Sequence, residues 1–92
     1  MIHFIVHGKN DDVGVIVVDA RKGQNLTGWN MEKDSTLRLK AGQNIPLGHK
    51  VALRDIAKGH EVAKYDEAIG SASKAIKKGQ HVHTHNLKTT RW

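Results

Sequence analysis

The chain has 92 residues, a formal net charge of +6 and no cysteine. Its length limits it to a single domain, residues 1–92, with a thin core, and the lack of cysteine excludes disulfide bonds, thiolate metal sites and a cysteine nucleophile. The apolar stretches at residues 1–7 and 15–18 are too short for a secretion signal or a membrane span. We therefore expect a cytoplasmic protein without a membrane partner.

The positive charge is compatible with nucleic acid, an anionic small molecule or an acidic protein surface as partner. Proteins that bind single-stranded nucleic acid stack its bases on aromatic side chains. This chain has only four aromatic residues of the Phe, Tyr and Trp types, and its basic residues are scattered. We expect no nucleic-acid partner.

The first elements along the chain are two predicted strands. Residues 2–7 alternate, with Ile2, Phe4 and Val6 on one face. Residues 13–18 are rich in β-branched side chains, which is typical of a buried strand. The cluster of turn-forming residues at 8–12 predicts that the two strands form a hairpin.

A recurring pattern follows: an apolar residue, two others, glycine, two others and a second apolar residue. Glycine takes positive φ without a steric clash, so each copy predicts a tight corner anchored at both ends in the core. Irregular spacing between copies indicates a compact β protein rather than a solenoid. Short helical turns are possible at 47–56 and 68–78, but strand and loop remain the main prediction. The five copies span residues 20–26, 39–45, 45–51, 56–62 and 76–82.

The stretch 81–86, which reads HVHTHN, is the strongest candidate for chemistry. In a strand, His81, His83 and His85 would share one face, about 6.6 Å apart. Imidazole side chains bind metal ions and anions and transfer protons near neutral pH. A polar strand edge facing solvent is the alternative.

Two further groups are candidates for binding an anion. His49 and Lys50 follow Gly48, and Lys64 precedes Tyr65. An exposed turn is the alternative for the first pair, and cross-strand packing of the tyrosine is the alternative for the second. The remaining histidines show no grouping and are interpreted as surface or packing residues; these are His3, His7 and His60.

These motifs together resemble the SAF domain of the altronate and galactarate dehydratases. The resemblance is carried by residues 45–59, which read IPLGHKVALRDIAKG, by Lys64 and Tyr65, and by the ending 79–86, which reads GQHVHTHN. One difference is Asp66, which stands where the family usually has glycine. Aspartate tolerates turn conformations better than most residues.

Within this family, residues 26–29 and 86–92 are similar to free-standing small subunits that act on a sulfonated 2-hydroxy acid. The resemblance implies a β-clip fold, a large catalytic subunit and elimination of sulfite from (2R)-3-sulfolactate to give pyruvate. It also implies Fe²⁺ in the assembled complex, held by the large subunit or by candidate ligands His83 and His85.

The resemblance also implies roles for the candidate residues. Catalytic roles fall on His81, His83 and His85, and substrate-binding roles on His49, Lys50, Lys64, Tyr65 and Asn86. Two alternatives remain: a small subunit of a split sugar-acid dehydratase, or a SAF ligand-binding module without catalysis. The isolated chain is expected to self-associate through a patch that includes Trp92.

Overall fold

Nine short β-strands lie within residues 1–89, the part of the chain that the computed structural model describes. Six form one sheet in the order β4-β3-β1-β2-β5-β8, and three form a second sheet in the order β6-β7-β9. The all-β prediction is confirmed, and the arrangement fits a β-clip. The strands are β1 (Phe4–Val6), β2 (Val13–Ile16), β3 (Asn25–Asn30), β4 (Ser35–Lys40), β5 (Lys50–Ala52), β6 (Glu61–Lys64), β7 (Glu67–Ala72), β8 (His81–Val82) and β9 (Leu87–Thr89).

No helix forms in residues 1–89, so the short helical turns considered for 47–56 and 68–78 are absent there. β5 occupies the first stretch and the end of β7 the second. The N–H groups of Ile56 and Ile76 donate to each other's carbonyl oxygens at 2.7 and 2.8 Å. These bonds link segments distant in sequence, and they replace the bonds within one segment that a helix requires.

The predicted hairpin at the start of the chain is confirmed. β1 and β2 pair antiparallel, with Phe4 opposite Ile16. β1 also pairs with β3 in parallel, so it lies inside the large sheet. Its Phe4 and Val6 side chains are buried as predicted, whereas Ile2 lies outside the strand and is exposed.

Two hydrophobic clusters hold the domain together. The first lies under the large sheet and includes Phe4, Ile16, Leu26 and Ile45. The second joins the far end of the large sheet to the small sheet. Its members are Val13, Ala52, Ile56, Val62, Ala72, Ile76, Val82 and Leu87. The histidine-rich segment is anchored in this second cluster by Val82, which is fully buried there.

Four of the five predicted glycine corners have the expected geometry. Gly23, Gly48, Gly59 and Gly79 have φ angles between 85° and 89°. Each is the third residue of a turn closed by a hydrogen bond from the fourth residue to the first, as from the His49 N–H to the Pro46 carbonyl oxygen at 3.0 Å. This is the pattern of a type II turn, which favours glycine at that position.

The fifth copy departs from the prediction. Gly42 lies outside the left-handed region, and its N–H donates to the Gly79 carbonyl oxygen at 2.8 Å. Gly42 therefore lies beside another corner instead of forming its own. The sequence pattern alone cannot distinguish the two situations, because both place glycine between two buried apolar residues.

The corner geometry leads to a stability prediction. Gly59→Ala should lower the free energy of unfolding by about 1–2 kcal/mol, because left-handed backbone carries that cost for a residue with a Cβ. A Cβ added at Gly59 would meet no other atom within 4 Å, so the loss would come from the backbone alone.

Gly42→Ala is the matched control. The nearest atom to its added Cβ lies 3.5 Å away, an ordinary contact, so the change should be neutral or stabilise by up to about 1 kcal/mol. Urea unfolding of both variants measures the difference. Equal losses of unfolding free energy in the two variants would contradict the distinct roles assigned to Gly59 and Gly42.

Candidate active site

The histidines of the C-terminal motif are divided between a short strand, which contains His81, and the turn after it, which contains His83 and His85. β8 ends at Val82, so the prediction that His81, His83 and His85 lie along one strand face is wrong. The turn depends on Asn86, which is buried. Its Oδ1 accepts a hydrogen bond from the His83 N–H at 2.9 Å, and its Nδ2 donates to the His81 carbonyl oxygen at 2.8 Å.

These histidines lie beside His49, which is the last residue of the corner formed around Gly48. Pairing of β5 with β8 places Val51 opposite His81, and His49 Nδ1 lies 2.8 Å from His81 Nε2. The ring of His83 stacks on that of His49 at a centroid distance of 4.1 Å. His85 lies beside His81 at 5.1 Å. We call these four residues the histidine cluster.

Three members of the cluster fit a metal ion. One nitrogen from each of His49, His81 and His83 lies within 4.8 Å of the other two. Nitrogens bound to one ion are at most about 4.2 Å apart, since each bond is about 2.1 Å long, so small side-chain rotations would suffice. Imidazole suits iron, zinc, copper and nickel. His85, a predicted candidate ligand, is not in the set, which includes His49 instead.

The cluster favours neutral imidazoles. Burial lowers the pKa of His81, and repulsion from His49, His85 and His83 lowers it further. The pKa of His83 is lowered by the same kinds of effect, burial first and then repulsion from His49 and Lys50. The hydrogen bond between His49 and His81 requires at least one of the two rings to be neutral, because a doubly protonated ring has no acceptor nitrogen.

Lys50 lies near both the histidine cluster and the predicted pair of Lys64 and Tyr65. It is opposite Val15 and Val82 in the sheet, and it is close enough to His83 and Lys64 to lower the pKa of both. For Lys64 the first cause of the lowered pKa is burial, the second is Lys50, and Asp11 acts in the opposite direction. Lys50 is therefore electrostatically coupled both to the histidine cluster and to Lys64.

His7 was missed by the sequence analysis. Its ring stacks on Tyr65 at a centroid distance of 4.3 Å, and Lys64 Nζ lies 4.5 Å from the centre of the same tyrosine ring. We call His7, Lys64 and Tyr65 the lysine arm. No local signal could have identified His7, because its partner lies on the distant β6–β7 hairpin.

The turn that carries the lysine arm keeps its hairpin form despite Asp66. Tyr65 and Asp66 have φ angles of 56° and 58°, as in the two-residue turns that usually contain glycine. The Asp66 carboxylate accepts hydrogen bonds from the N–H groups of Lys9 and Asn10, at 3.1 and 2.7 Å. These hydrogen bonds offset the energetic cost of the left-handed backbone at Tyr65 and Asp66.

The members of the histidine cluster are half-buried or exposed among the described residues, so the cluster lies at the surface. A depression of about 500 Å³ lies across β3 and β4, and a second of about 270 Å³ lies between the first two corners. Their lining includes Thr27 and Arg38 in the first and Arg21 and Asn44 in the second, and no member of the histidine cluster in either. A small substrate held at the cluster would need a second surface to cover it.

An all-β domain that presents histidines and lysines on an open surface is suited to supplying side chains to a shared ligand site. The family model of the altronate/galactarate dehydratase SAF domain matches residues 2–90, and the chain belongs to this family. The family resemblance seen in the sequence is thereby confirmed. Among residues 1–89, none belongs to a helix long and apolar enough to cross a membrane.

Individual relatives cover the chain to different extents. A Chromohalobacter salexigens protein named (2R)-sulfolactate sulfo-lyase subunit alpha is 49% identical over 99% of this chain and 98% of its own length. A protein of the same name from Paracoccus pantotrophus is 51% identical over 64% of this chain and 88% of its own length. The altronate dehydratase of Bacillus subtilis is 35% identical over 97% of this chain, but over only 17% of its own length.

The lowered histidine pKa values predict a pH-dependent stability. The pKa values of His81 and His83 lie below their ordinary value in the folded chain, so the unfolded chain takes up protons first as the pH falls. Stability should be fully present above about pH 6.5 and be lost progressively at lower pH.

Thermal unfolding of the metal-free chain from about pH 8 to about pH 5 measures this effect. The double variant His81→Gln and His83→Gln should flatten the dependence. His60→Gln, which changes an exposed histidine outside the cluster, should not. An unchanged slope in the double variant would contradict the assignment.

The Asn86 contacts predict a second effect. Asn86→Ala removes the partners of the His83 N–H and the His81 carbonyl oxygen, so it should lower the free energy of unfolding by about 1–3 kcal/mol. Asn25→Ala, an exposed asparagine of β3, is the control and should change stability little. Chemical denaturation compares the two variants; a loss at Asn86 no larger than at Asn25 would show that the turn does not depend on this amide.

Proposed function

We propose that the chain is the small subunit of a heteromeric carbon–sulfur lyase that eliminates sulfite from (2R)-3-sulfolactate to give pyruvate. The observation that carries this proposal is the match with the Chromohalobacter protein, which extends over 98% of that protein's length. The open cluster of histidines and lysines supports it, since it offers chemistry suited to a doubly negative substrate.

The basic surface would bind the substrate's anionic groups. His49 and Lys50 would meet one of them, and Lys64 and Tyr65 the other. The net charge of +6 would also speed the approach of a dianion. A substrate-binding role for Asn86 stays a prediction, and its amide already makes two hydrogen bonds that position His81 and His83.

The reaction requires removal of a proton from the carbon that carries the hydroxyl and carboxylate. The electrons of that C–H bond form a double bond to the next carbon as its bond to sulfur breaks, and sulfite leaves. The resulting enol of pyruvate takes a proton at carbon to become the ketone. Neutral imidazoles, which the lowered pKa values of His81 and His83 favour, are suited to such transfers. His85, exposed beside them, would exchange protons with the surroundings.

We extend the proposal to Fe²⁺ as the cofactor. His49, His81 and His83 would hold the ion on this chain, alone or together with groups of the large subunit. The ion would supply charge stabilisation for the developing enolate. Only a neutral imidazole has a nitrogen free to bind a metal ion, so metal binding should weaken as the pH falls and the histidines take up protons.

A large catalytic subunit would cover the open cluster. The three-histidine group contains no carboxylate among residues 1–89, so further ligands or a stronger base would come from the partner. Self-association of the isolated chain through Trp92 stays a prediction, because Trp92 lies outside the described residues. A cytoplasmic location and the lack of a nucleic-acid partner also stay predictions.

One experiment separates the proposed reaction from its alternatives. The chain is co-expressed with the large open reading frame next to its gene, purified without oxygen in the presence of iron, and given (2R)-sulfolactate or altronate. Release of sulfite and pyruvate only when both chains are present is the expected result.

Formation of a 2-keto-3-deoxy sugar acid from altronate would instead indicate a split dehydratase. The split-dehydratase hypothesis is supported by the match to an altronate dehydratase, which spans 97% of this chain. Failure to form any complex, together with tight binding of a sugar acid by the lone chain, would indicate a ligand-binding module and contradict the lyase proposal.

The histidine cluster provides the site-directed test. His83→Ala should lower kcat/KM of the assembled complex by about 100-fold or more, because it removes a proton-transfer group. His85→Ala should have a smaller effect, and His60→Ala, outside the cluster, should have none. Wild-type turnover and substrate affinity in both His83→Ala and His85→Ala would contradict the assigned roles.

A further inference from the structure

Asp11 is a buried carboxylate that holds the β6–β7 turn. It is 2% exposed, and its Oδ2 accepts hydrogen bonds from the N–H groups of Gly8 at 2.8 Å and Tyr65 at 3.0 Å. Its Oδ1 accepts a third, from the Asp66 N–H at 2.8 Å. A buried charge needs such bonds, and they tie the β1–β2 loop to a turn distant in sequence.

The β1–β2 loop and the β6–β7 turn are packed closely against each other. A Cβ at Gly8 would collide with Asp11 Oδ1 and with the Asp66 N–H nitrogen. The neighbouring Asp12 adds a second connection, since its carboxylate accepts a hydrogen bond from the Ala63 N–H at 2.9 Å. The loop after β1 is therefore attached to both the last part of β6 and the turn that follows it.

The residues held in this way belong to the lysine arm. Tyr65 donates its own N–H to Asp11, and its ring contacts both the His7 ring and Lys64 Nζ. Both turn residues have left-handed backbone, which L-residues other than glycine seldom adopt without support. Without Asp11, the turn would lose the two hydrogen bonds that its own N–H groups donate, and only those to the Asp66 carboxylate would remain to support this conformation.

Asp11 also acts on Lys64 through its charge. Burial and Lys50 lower the pKa of the Lys64 ammonium group, and Asp11 opposes both effects. The same carboxylate that fixes the backbone of the arm thus helps to keep its lysine positive.

We propose that Asp11 is a positioning residue of the active site, which holds Lys64 and Tyr65 against His7 in the arrangement that binds the substrate. Asp11 is buried below the surface and touches the turn's backbone, so it would act through the arm. The inference rests on the proposed function, because it assigns the arm to substrate binding.

The first test uses the full isolated chain and needs no activity. Asp11→Asn keeps the shape of the side chain but turns one acceptor oxygen into a donor that faces an N–H group. Asp11→Ser, which removes the carboxylate without that conflict, is the second variant in case the first does not fold. NMR should show loss of the His7–Tyr65 ring contact and titration of Lys64 at lower pH than in the wild type.

Leu39→Val is the control for a general loss of stability. It shortens a side chain in the first hydrophobic cluster, away from the arm, so it should lower the unfolding midpoint and leave both NMR observations unchanged. A retained His7–Tyr65 contact and an unchanged Lys64 titration in the Asp11 variants would overturn the proposal.

The second test measures the assembled lyase on whichever substrate the wild type converts. The Asp11 variants should raise KM by about 10-fold or more, with a smaller change in kcat, because a small displacement of binding groups weakens binding strongly. The alkaline limb of kcat/KM should move to lower pH. Leu39→Val should keep wild-type values below its unfolding temperature.

The outcomes separate this inference from the proposed function. Wild-type KM and pH profile in a folded Asp11 variant would overturn the positioning role while the lyase activity stands. A wild-type complex without activity on either substrate would overturn the proposed function. The NMR comparison would then decide on its own whether Asp11 holds the arm.

Discussion

The site depends on the pairing of β5 with β8, two very short strands. Two residue pairs define it, Lys50 with Val82 and Val51 with His81. This pairing places the corner that ends at His49 beside the turn that begins at His83, so side chains from two distant segments share one surface. Burial of Val51 and Val82 on opposite sides of the sheet anchors both strands, since each belongs to a different hydrophobic cluster.

The same region brings together groups that disfavour one another's protonated forms. Burial first, and then repulsion from neighbours such as His49, lowers the pKa values of His81 and His83. Below about pH 6.5 this arrangement lowers the stability of the free chain, and binding of a metal ion would offset that loss. The members of the cluster are also only half-buried or exposed among the described residues.

Three buried polar side chains hold the loops that this arrangement requires. Asp11 fixes the β6–β7 turn, Asn86 fixes the histidine turn, and Asn30 accepts hydrogen bonds from Glu32 and Lys33 in the β3–β4 turn. Each pairs its oxygen with backbone N–H groups that would otherwise lack partners. In a domain with such short strands, these side chains do for the loops what ladder hydrogen bonds do for sheets.

The amino-acid sequence determined the local properties of this protein. Alternation of apolar residues was sufficient to predict the first hairpin, and glycine at regular distances from buried residues was sufficient to predict four corners. These inferences succeed because backbone conformation at glycine and burial on a strand face are decided by near neighbours. The motifs around His49, Lys64 and His81 were also recognisable, since their order along the chain matches the family.

The tertiary structure decided which of these residues meet. His49, rather than His85, lies in the group of histidines that could hold a metal ion, His7 contacts Tyr65, and Gly42 has a role unlike that of the other pattern glycines. The sequence predicted Asp11 only as part of a turn and Asn86 as a substrate-binding residue, and their structural roles emerged only with their partners. The physical reason is common to all: contacts between segments depend on strand pairing and sheet order, and these are set by the whole core rather than by any short stretch of chain.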